Sequence, residues 1–416
     1  MSSFLLPYGS TFEKISLPPG CKARLFTPNL VEPVENPASE IKRVLDEPIG
    51  SVRLSELAGA KKNAVIIVSD HTRLAPTQIF LPYLVEEIVR GGISTDDIAV
   101  VVATGAHRPA AGAEVREIVG AEIYNTLECL NSSQEPQDCV EVGRTSRGTP
   151  VQVFHRVAKA DMKVATGNIE PHWMASFSGG AKALVPGTAS RVTIEKNHAL
   201  SVVGHISRDP GQNTVRADLE EAAALAGLEF VFNVVVDHHG RLLKAFAGHP
   251  VQAHRAGCRL AGRVYYADPG PPADIVVASA GGVPKDQNLY QAIKALQNAA
   301  AVVKPGGTVA LAARCREGYG NHVFRGWVEA GRSEAETLER FSRGFVLGGH
   351  KAAAAARVTQ KCRVHLVSGL PGQVAEMLHC RPYRSLQQAV EGALGRVKTD
   401  NPDVVIMPYA GLTFCW

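Results

Sequence analysis

No two of the eight cysteines stand at Cys-x-x-Cys spacing, which excludes thiolate zinc knuckles and dithiol redox motifs. Cys21, Cys129, Cys139, Cys258, Cys315, Cys362, Cys380 and Cys415 are scattered instead, the pattern of reduced thiols in a cytosolic protein. No Lys/Arg block, zinc-finger spacing or basic-aromatic stripe occurs, so nucleic acid is not an expected partner. No apolar run approaches the length of a membrane span, and Met1-Ser-Ser-Phe-Leu-Leu-Pro-Tyr-Gly9 has no basic n-region. The expectation is therefore no membrane association, no signal peptide and a cytoplasmic location. The Walker order Gly-x-x-x-x-Gly-Lys-Ser/Thr is missing, as is a clean Gly-x-Gly-x-x-Gly fingerprint. What remains is a globular chain of 416 residues, 45% apolar and 20% charged, with a net charge of +4. That length suits two or three domains, and the slight basicity suits small anionic ligands.

The chain is organised as strands that end in polar loops. Ala64-Val-Ile-Ile-Val-Ser69 is continuously apolar, as a strand covered on both faces of a parallel sheet must be, and it delivers Asp70-His-Thr-Arg73. Pro76-Thr77 opens a helix running to about Arg90. A second strand, Ile98 to Ala103, then delivers Thr104-Gly-Ala-His-Arg-Pro109. This alternation predicts a doubly wound α/β unit, with polar groups gathered at the carboxyl rim where such sheets bind ligands. Phe230–Val236 and Arg241–Ala247 read as a hairpin. Asp268-Pro-Gly-Pro-Pro272 reads as a linker, and fresh strands follow at 275–278, 308–312, 363–367 and 403–407. The expected architecture is two α/β domains, each a largely parallel sheet flanked by helices, with the active site in the cleft between them. They are residues 1–267, carrying catalysis and cofactor, and 273–399, joined by 268–272, with the closing segment 400–416 a candidate to return to the first.

The richest stretch follows the short strand Met162–Ala165: Thr166-Gly-Asn-Ile-Glu-Pro-His-Trp-Met-Ala-Ser-Phe-Ser-Gly-Gly-Ala-Lys-Ala-Leu-Val-Pro-Gly187, continued by Asn197-His198. Ser178, Gly179 and Gly180 let backbone N–H groups converge as an anion nest at the start of a helix. Lys182 then serves as a charge clamp or as a nucleophilic amine. His172 and His198 both return to the neighbourhood of Lys182, one suited to acid/base work and one to metal ligation. Structural roles compete with each of these. Asp70 is a natural cap for the helix after it, Arg73 a natural partner for Asp70, and a turn histidine often only bonds backbone. Gln291 and Lys294 share one face of a helix beginning near Tyr290.

Taken in order, Asp70-His-Thr-Arg73, Thr104-Gly-Ala-His-Arg-Pro109, Pro171-His172, Ser178-Gly-Gly-Ala-Lys182, Pro186-Gly187, Asn197-His198 and Asp286-Gln-Asn-Leu-Tyr-Gln291 with Lys294 resemble the nickel-dependent lactate racemase family. The resemblance spans roughly residues 60 to 300 by motif and the whole chain by length. It implies a racemase or epimerase of a 2-hydroxy acid working by proton-coupled hydride transfer. The implied cofactor is a nickel-pincer nucleotide, a pyridinium mononucleotide with two sulfur-bearing arms, supplied by dedicated cofactor-synthesis enzymes. On these motifs Lys182 would bear the cofactor through a thioamide link, His198 would ligate nickel, and Asp70, Ser178, Gly179 and Gly180 would be cofactor neighbours. His107 and His172 would be the acid/base pair, and Arg73, Tyr290, Gln291 and Lys294 would hold the substrate. Lactate-specific members are expected to carry a tryptophan where this chain reads Gly348-Gly-His-Lys351. The substrate therefore stays open between lactate and a larger malate-like or sugar acid.

Two rival readings use the same residues. One is a zinc-dependent hydrolase with His107, His172 and His198 around the metal and Asp70 nearby. The other is a non-catalytic nucleotide-binding protein in which Lys182 and the glycine pair simply hold the ligand.

Overall fold

Ala64–Ser69 lies at the middle of a six-stranded sheet in the computed structural model, which describes Ser2 through Cys415. Its side chains from Ala64 to Val68 are all fully buried, as the unbroken apolar run requires. Burial of each such Val or Ile contributes about 1.5–3 kcal/mol. The sheet order is Leu242–Gly248, Phe230–Val236, Met162–Asn168, Ala64–Ser69, Ile98–Ala103, Glu128–Asn131. All neighbours are parallel except the first pair, the hairpin expected from sequence. The chain leaves Ala64–Ser69 toward one edge, then crosses back to Met162–Asn168 on the other side. That reversal makes the carboxyl ends of these two strands the switch point at which open α/β sheets bind ligands. The helix Thr77–Arg90 closes one face with Phe80, Leu81, Leu84 and Ile88 buried. Phe80 packs on Phe232 with ring centroids 4.8 Å apart.

The molecule divides into two units, Val31–Gly262 and Met1–Leu30 with Arg263–Trp416. The second has its own six-stranded sheet, in the order Arg381–Tyr383, Arg363–Val367, Val303–Ala312, Ala273–Ser279, Asp403–Met407, Lys22–Leu25. Every pair in it is parallel. The amino-terminal hairpin Ser2–Tyr8/Thr11–Leu17 buries Leu6, Tyr8, Ile15 and Leu17 against Ile275, Val277 and Leu386 of the same unit.

This division differs from the one expected. Residues 1–30 belong with the carboxyl-terminal sheet, because Lys22–Leu25 pairs with Asp403–Met407. The closing strand therefore stays in that sheet and does not return to the first domain. The Pro-rich segment 268–272 runs over the surface of the same unit, with Arg24 donating to the carbonyls of Pro269 and Pro271, and Tyr266–Ala267 pairs with Phe414–Cys415. Strand partners nearly the whole chain apart leave no local trace in sequence. Among the described residues no helix is long and apolar enough to cross a membrane.

Candidate active site

The loops at the switch point of the Val31–Gly262 unit carry most of the expected residues. Ser69 leads directly into Asp70, whose carboxylate is buried. Its Oδ1 accepts from the Thr72 amide at 3.2 Å and the Thr72 hydroxyl at 2.7 Å, and its Oδ2 meets His107 Nδ1 at 2.5 Å. Burial alone would raise the Asp70 pKa. The imidazole of His107, the charge of Arg73 and the Thr72 hydroxyl outweigh it and hold the carboxyl well below the usual range. Asp70 was expected beside the cofactor. Its two oxygens are held by its own turn and by His107, and its charge also acts on the Lys182 amine. A carboxylate on Nδ1 keeps the proton there and leaves Nε2 as the basic nitrogen of the ring.

Arg73 does not pair with Asp70 through its side chain. Its guanidinium lies 3.5 Å from Glu170, a buried carboxylate in the loop after Met162–Asn168 that also accepts from Asn168 Nδ2 at 3.2 Å. Sequence reasoning gave Glu170 no role, although a glutamate just past an apolar strand end and before Pro171-His172 was a visible signal. His172 sits in the short hairpin Pro171–His172/Ser176–Phe177. Its Nδ1 accepts from the amides of Met174 at 3.3 Å and Ala175 at 3.2 Å, so the proton of the neutral ring resides on Nε2.

Ser178, Gly179 and Gly180 do not form an open anion nest. The Ser178 amide donates to Glu170 O at 2.8 Å, its hydroxyl donates to Asn168 O at 2.8 Å, and the Gly180 amide donates to Asn233 Oδ1 at 2.9 Å. The Lys182 amide is turned to Gly179 O at 3.3 Å. Nor does a helix begin here, only the short 3₁₀ turn Gly180–Ala183. The glycines serve close packing. Both have positive φ, and a Cβ on Gly180 would lie 2.8 Å from the ring of His254. His254 and Arg216, both fully buried, brace the turn from behind. His254 Nε2 reaches Ser178 O at 2.9 Å, and the Arg216 guanidinium donates to the carbonyls of Ala175, Phe177 and Gly179. Neither residue was legible as part of the site, because each comes from a helix whose local sequence says nothing about this turn.

The turn holds Lys182 in a crowded, cationic setting. Burial of its amine, then the charges of Arg73 and Arg216, push its pKa down to about 7, against the pull of Asp70 and Glu170. His198 lies on the helix Arg191–Val203. Burial and then the Lys182 charge push its pKa down to about 3, with its contact to the Ile194 carbonyl opposing. Its imidazole is neutral at any physiological pH, the form in which histidine binds metals. Asn197 beside it is structural, donating to Val215 O and Asp218 Oδ2. Asp70, Arg73, His107, Glu170, Lys182 and His198 are thus linked by contact or by charge into one group.

Tyr290, Gln291 and Lys294 lie in the other unit, on the first turns of the helix Leu289–Val302, which Asn288 caps by accepting from the Gln291 amide at 3.1 Å. Tyr290 and Gln291 are buried and Lys294 is half-buried. His350 stands edge-on to the Tyr290 ring at 5.9 Å and Lys351 lies over it at 5.6 Å, so the Gly348-Gly-His-Lys351 segment packs on one of the expected substrate residues. Asp286 Oδ2 accepts from the amides of Gly9 and Arg314, while its Oδ1 is buried with no hydrogen-bond partner.

Among the described residues no group of three or more His, Cys, Asp or Glu side chains is placed to hold a metal ion. His107, His172 and His198 therefore do not form the zinc site of the hydrolase reading. One neutral imidazole and one amine with a substantial unprotonated fraction do fit a metal whose other donors arrive with an organic cofactor.

A lactate racemase N-terminal domain model matches residues 8–209, and a lactate racemase C-terminal domain model matches residues 269–413. Lactate racemase of Thermoanaerobacterium thermosaccharolyticum is 34% identical over 356 residues, covering 83% of this chain and 82% of that protein. Lactate racemase of Lactiplantibacillus plantarum is 37% identical over 288 residues, 68% of each chain. The solved lactate racemase apoprotein from T. thermosaccharolyticum matches with a TM-score of 0.89 at 29% identity over the full length of both chains. A Thermotoga maritima protein, at 15% identity and a TM-score of 0.69, covers 93% of this chain and shares the fold.

Proposed function

The chain belongs to the lactate racemase family, and we propose that it inverts the chiral carbon of a 2-hydroxy acid, using a nickel-pincer nucleotide carried covalently on Lys182. The observation that carries this reading is the Asp70–His107 pair at 2.5 Å in one charge-linked group with a lysine whose pKa falls to about 7. The first supplies an oriented base and the second an amine with a substantial unprotonated fraction at neutral pH.

When bound, the cofactor supplies a hydride acceptor, which avoids the high-energy carbanion that proton removal beside a carboxylate would create. The residues of the chain do the rest. Lys182 tethers the cofactor and His198 is the protein ligand to nickel, consistent with its neutral state. His107, its Nδ1 proton held by Asp70, takes the hydroxyl proton at Nε2 as the carbon is oxidised. His172 serves the enantiomer whose hydroxyl approaches from the other side. Arg73, drawn from Glu170, grips the substrate carboxylate with its planar fork, while Tyr290, Gln291 and Lys294 contact the remaining oxygens. Cofactor-synthesis enzymes are the implied partners.

The test is intact-mass and metal analysis of protein produced together with the cofactor-synthesis enzymes, followed by a chiral assay on L-lactate, D-lactate, malate and sugar acids. A mass increase mapped to Lys182, stoichiometric nickel and interconversion of one acid are expected. Unmodified Lys182 with full activity would overturn the tether, and a modified, nickel-loaded protein inert on every acid would leave the carrier reading.

A further inference from the structure

In the carboxyl-terminal unit, at the end of the sheet opposite its carboxyl rim, a cavity of about 370 Å³ is lined by basic groups and by no carboxylate. Arg363 opens one strand and Arg381 the next, and the parallel register places Arg381 beside His365. His365 follows Arg363 by two residues, so all three side chains leave the sheet on the same face. Arg396, just past the helix Leu386–Leu394, enters from that helix, whose Ala389 carbonyl is 2.8 Å from His365 Nδ1. Lys361 and His379 are the other basic groups of the lining, and His379 Nδ1 lies 3.8 Å from Glu334, which is outside it.

The three arginines are exposed, and among the described residues none forms an ion pair with a carboxylate. Arg363 spends one N–H on the Gly306 carbonyl at 2.5 Å, and Arg381 lies over the Tyr383 ring at 5.4 Å. His365, only 2% exposed, forms part of the floor. Burial and then the fields of Arg381, Arg396 and Arg363 hold its imidazole below the ordinary value, against the Ala389 contact. Elsewhere in the same unit, Arg343 has Glu339 at 2.7 Å and Arg325 has Glu329 at 2.9 Å. Three guanidinium groups that line one cavity and all act on His365, with no ion-paired carboxylate, are a charge that a multivalent anion relieves and a single carboxylate does not.

We propose that this cavity is a binding site for a diphosphate group, free or as part of a nucleotide, separate from the racemase site. Its volume suits a small ligand, and paired phosphoryl groups present the bidentate oxygen edges that guanidinium forks match. It is a different reading from the proposed reaction and does not depend on it.

Isothermal titration of the full chain at low salt with inorganic pyrophosphate, ADP and citrate tests it. Saturable one-to-one binding of pyrophosphate is expected, weakened about tenfold by R381Q and by R396Q but unchanged by R343Q, which alters net charge equally elsewhere in the unit. Tighter binding of ADP than of pyrophosphate identifies a nucleotide as the source, and equal binding identifies the free anion; both support the site. Citrate binding as tightly as pyrophosphate, non-saturable binding, or equal losses in R343Q and R381Q would each overturn it. Melting curves of the variants separate lost binding from lost folding.

Discussion

The two histidines assigned to proton transfer are held in opposite ways. His107 stands at the end of a buried strand and gives Nδ1 to a carboxylate, so its Nε2 is basic in the resting protein. His172 stands on a two-residue hairpin strand and gives Nδ1 to two backbone amides, so its Nε2 carries the proton. A neutral ring in that tautomer accepts nothing at Nε2, and loss of its proton would leave an imidazolate. To exchange a proton, His172 must let Nδ1 take one, which requires the Met174 and Ala175 amides to let go. At 3.3 and 3.2 Å these are long contacts, each contributing about 0.5–1.5 kcal/mol, so the turn is the movable half of the pair and the Asp70–His107 end the fixed half. A base held by a buried carboxylate is rigid, and one held by a surface turn is adjustable.

The strongest way to break this comparison is to remove each base in cofactor-loaded enzyme. His107→Ala and His172→Ala should each lower steady-state interconversion by about 10²–10⁴-fold, and single turnovers should show the two variants failing on opposite enantiomers. Failure of both on the same enantiomer would abolish the two-sided assignment. Asp70→Asn comes next. It should cost on the order of 10²-fold in kcat with little change in KM and with cofactor loading retained, since the carboxylate acts through His107; a variant that loads no cofactor would return Asp70 to the cofactor set. A smaller effect concerns Lys182. Its depressed pKa means the folded protein binds fewer protons than the unfolded chain between about pH 7 and the ordinary lysine value near 10.5, so this group makes stability rise with pH across that window. The unloaded Lys182→Met variant should therefore melt higher than the parent below pH 7, with the gap narrowing as pH rises. A gap independent of pH would show that the amine is not desolvated. The finest test leaves activity aside. Nitrogen-15 spectra of labelled histidine should give the Nδ1–H tautomer for His107 and the Nε2–H tautomer for His172, and matching tautomers would erase the asymmetry.

Much of the fold was legible because it is written in local pattern. The apolar runs at 64–69 and 98–103 require cover on both faces, and their polar successors fall at the carboxyl ends by simple chain geometry. The strands 363–367 and 403–407 occur at the expected positions. The anion nest at Ser178-Gly-Gly was misread for a reason of the opposite kind. Glycines that free a backbone to meet phosphate look the same in sequence as glycines that make room for His254 and an amide that turns to Asn233.

By itself, the sequence determined the strand and helix types, the loops in which reactive side chains had to lie, and, through the order of its motifs, the family. Only the tertiary structure decided that Lys22–Leu25 completes the distant sheet, that Asp70 steers His107 and Glu170 holds Arg73, and that Arg216 and His254 brace the Lys182 turn. Periodicity and turn chemistry act over a few residues and can be read along the chain. Hydrogen bonds and charge shifts depend on groups brought within a few ångströms by folding, however far apart they stand in the sequence.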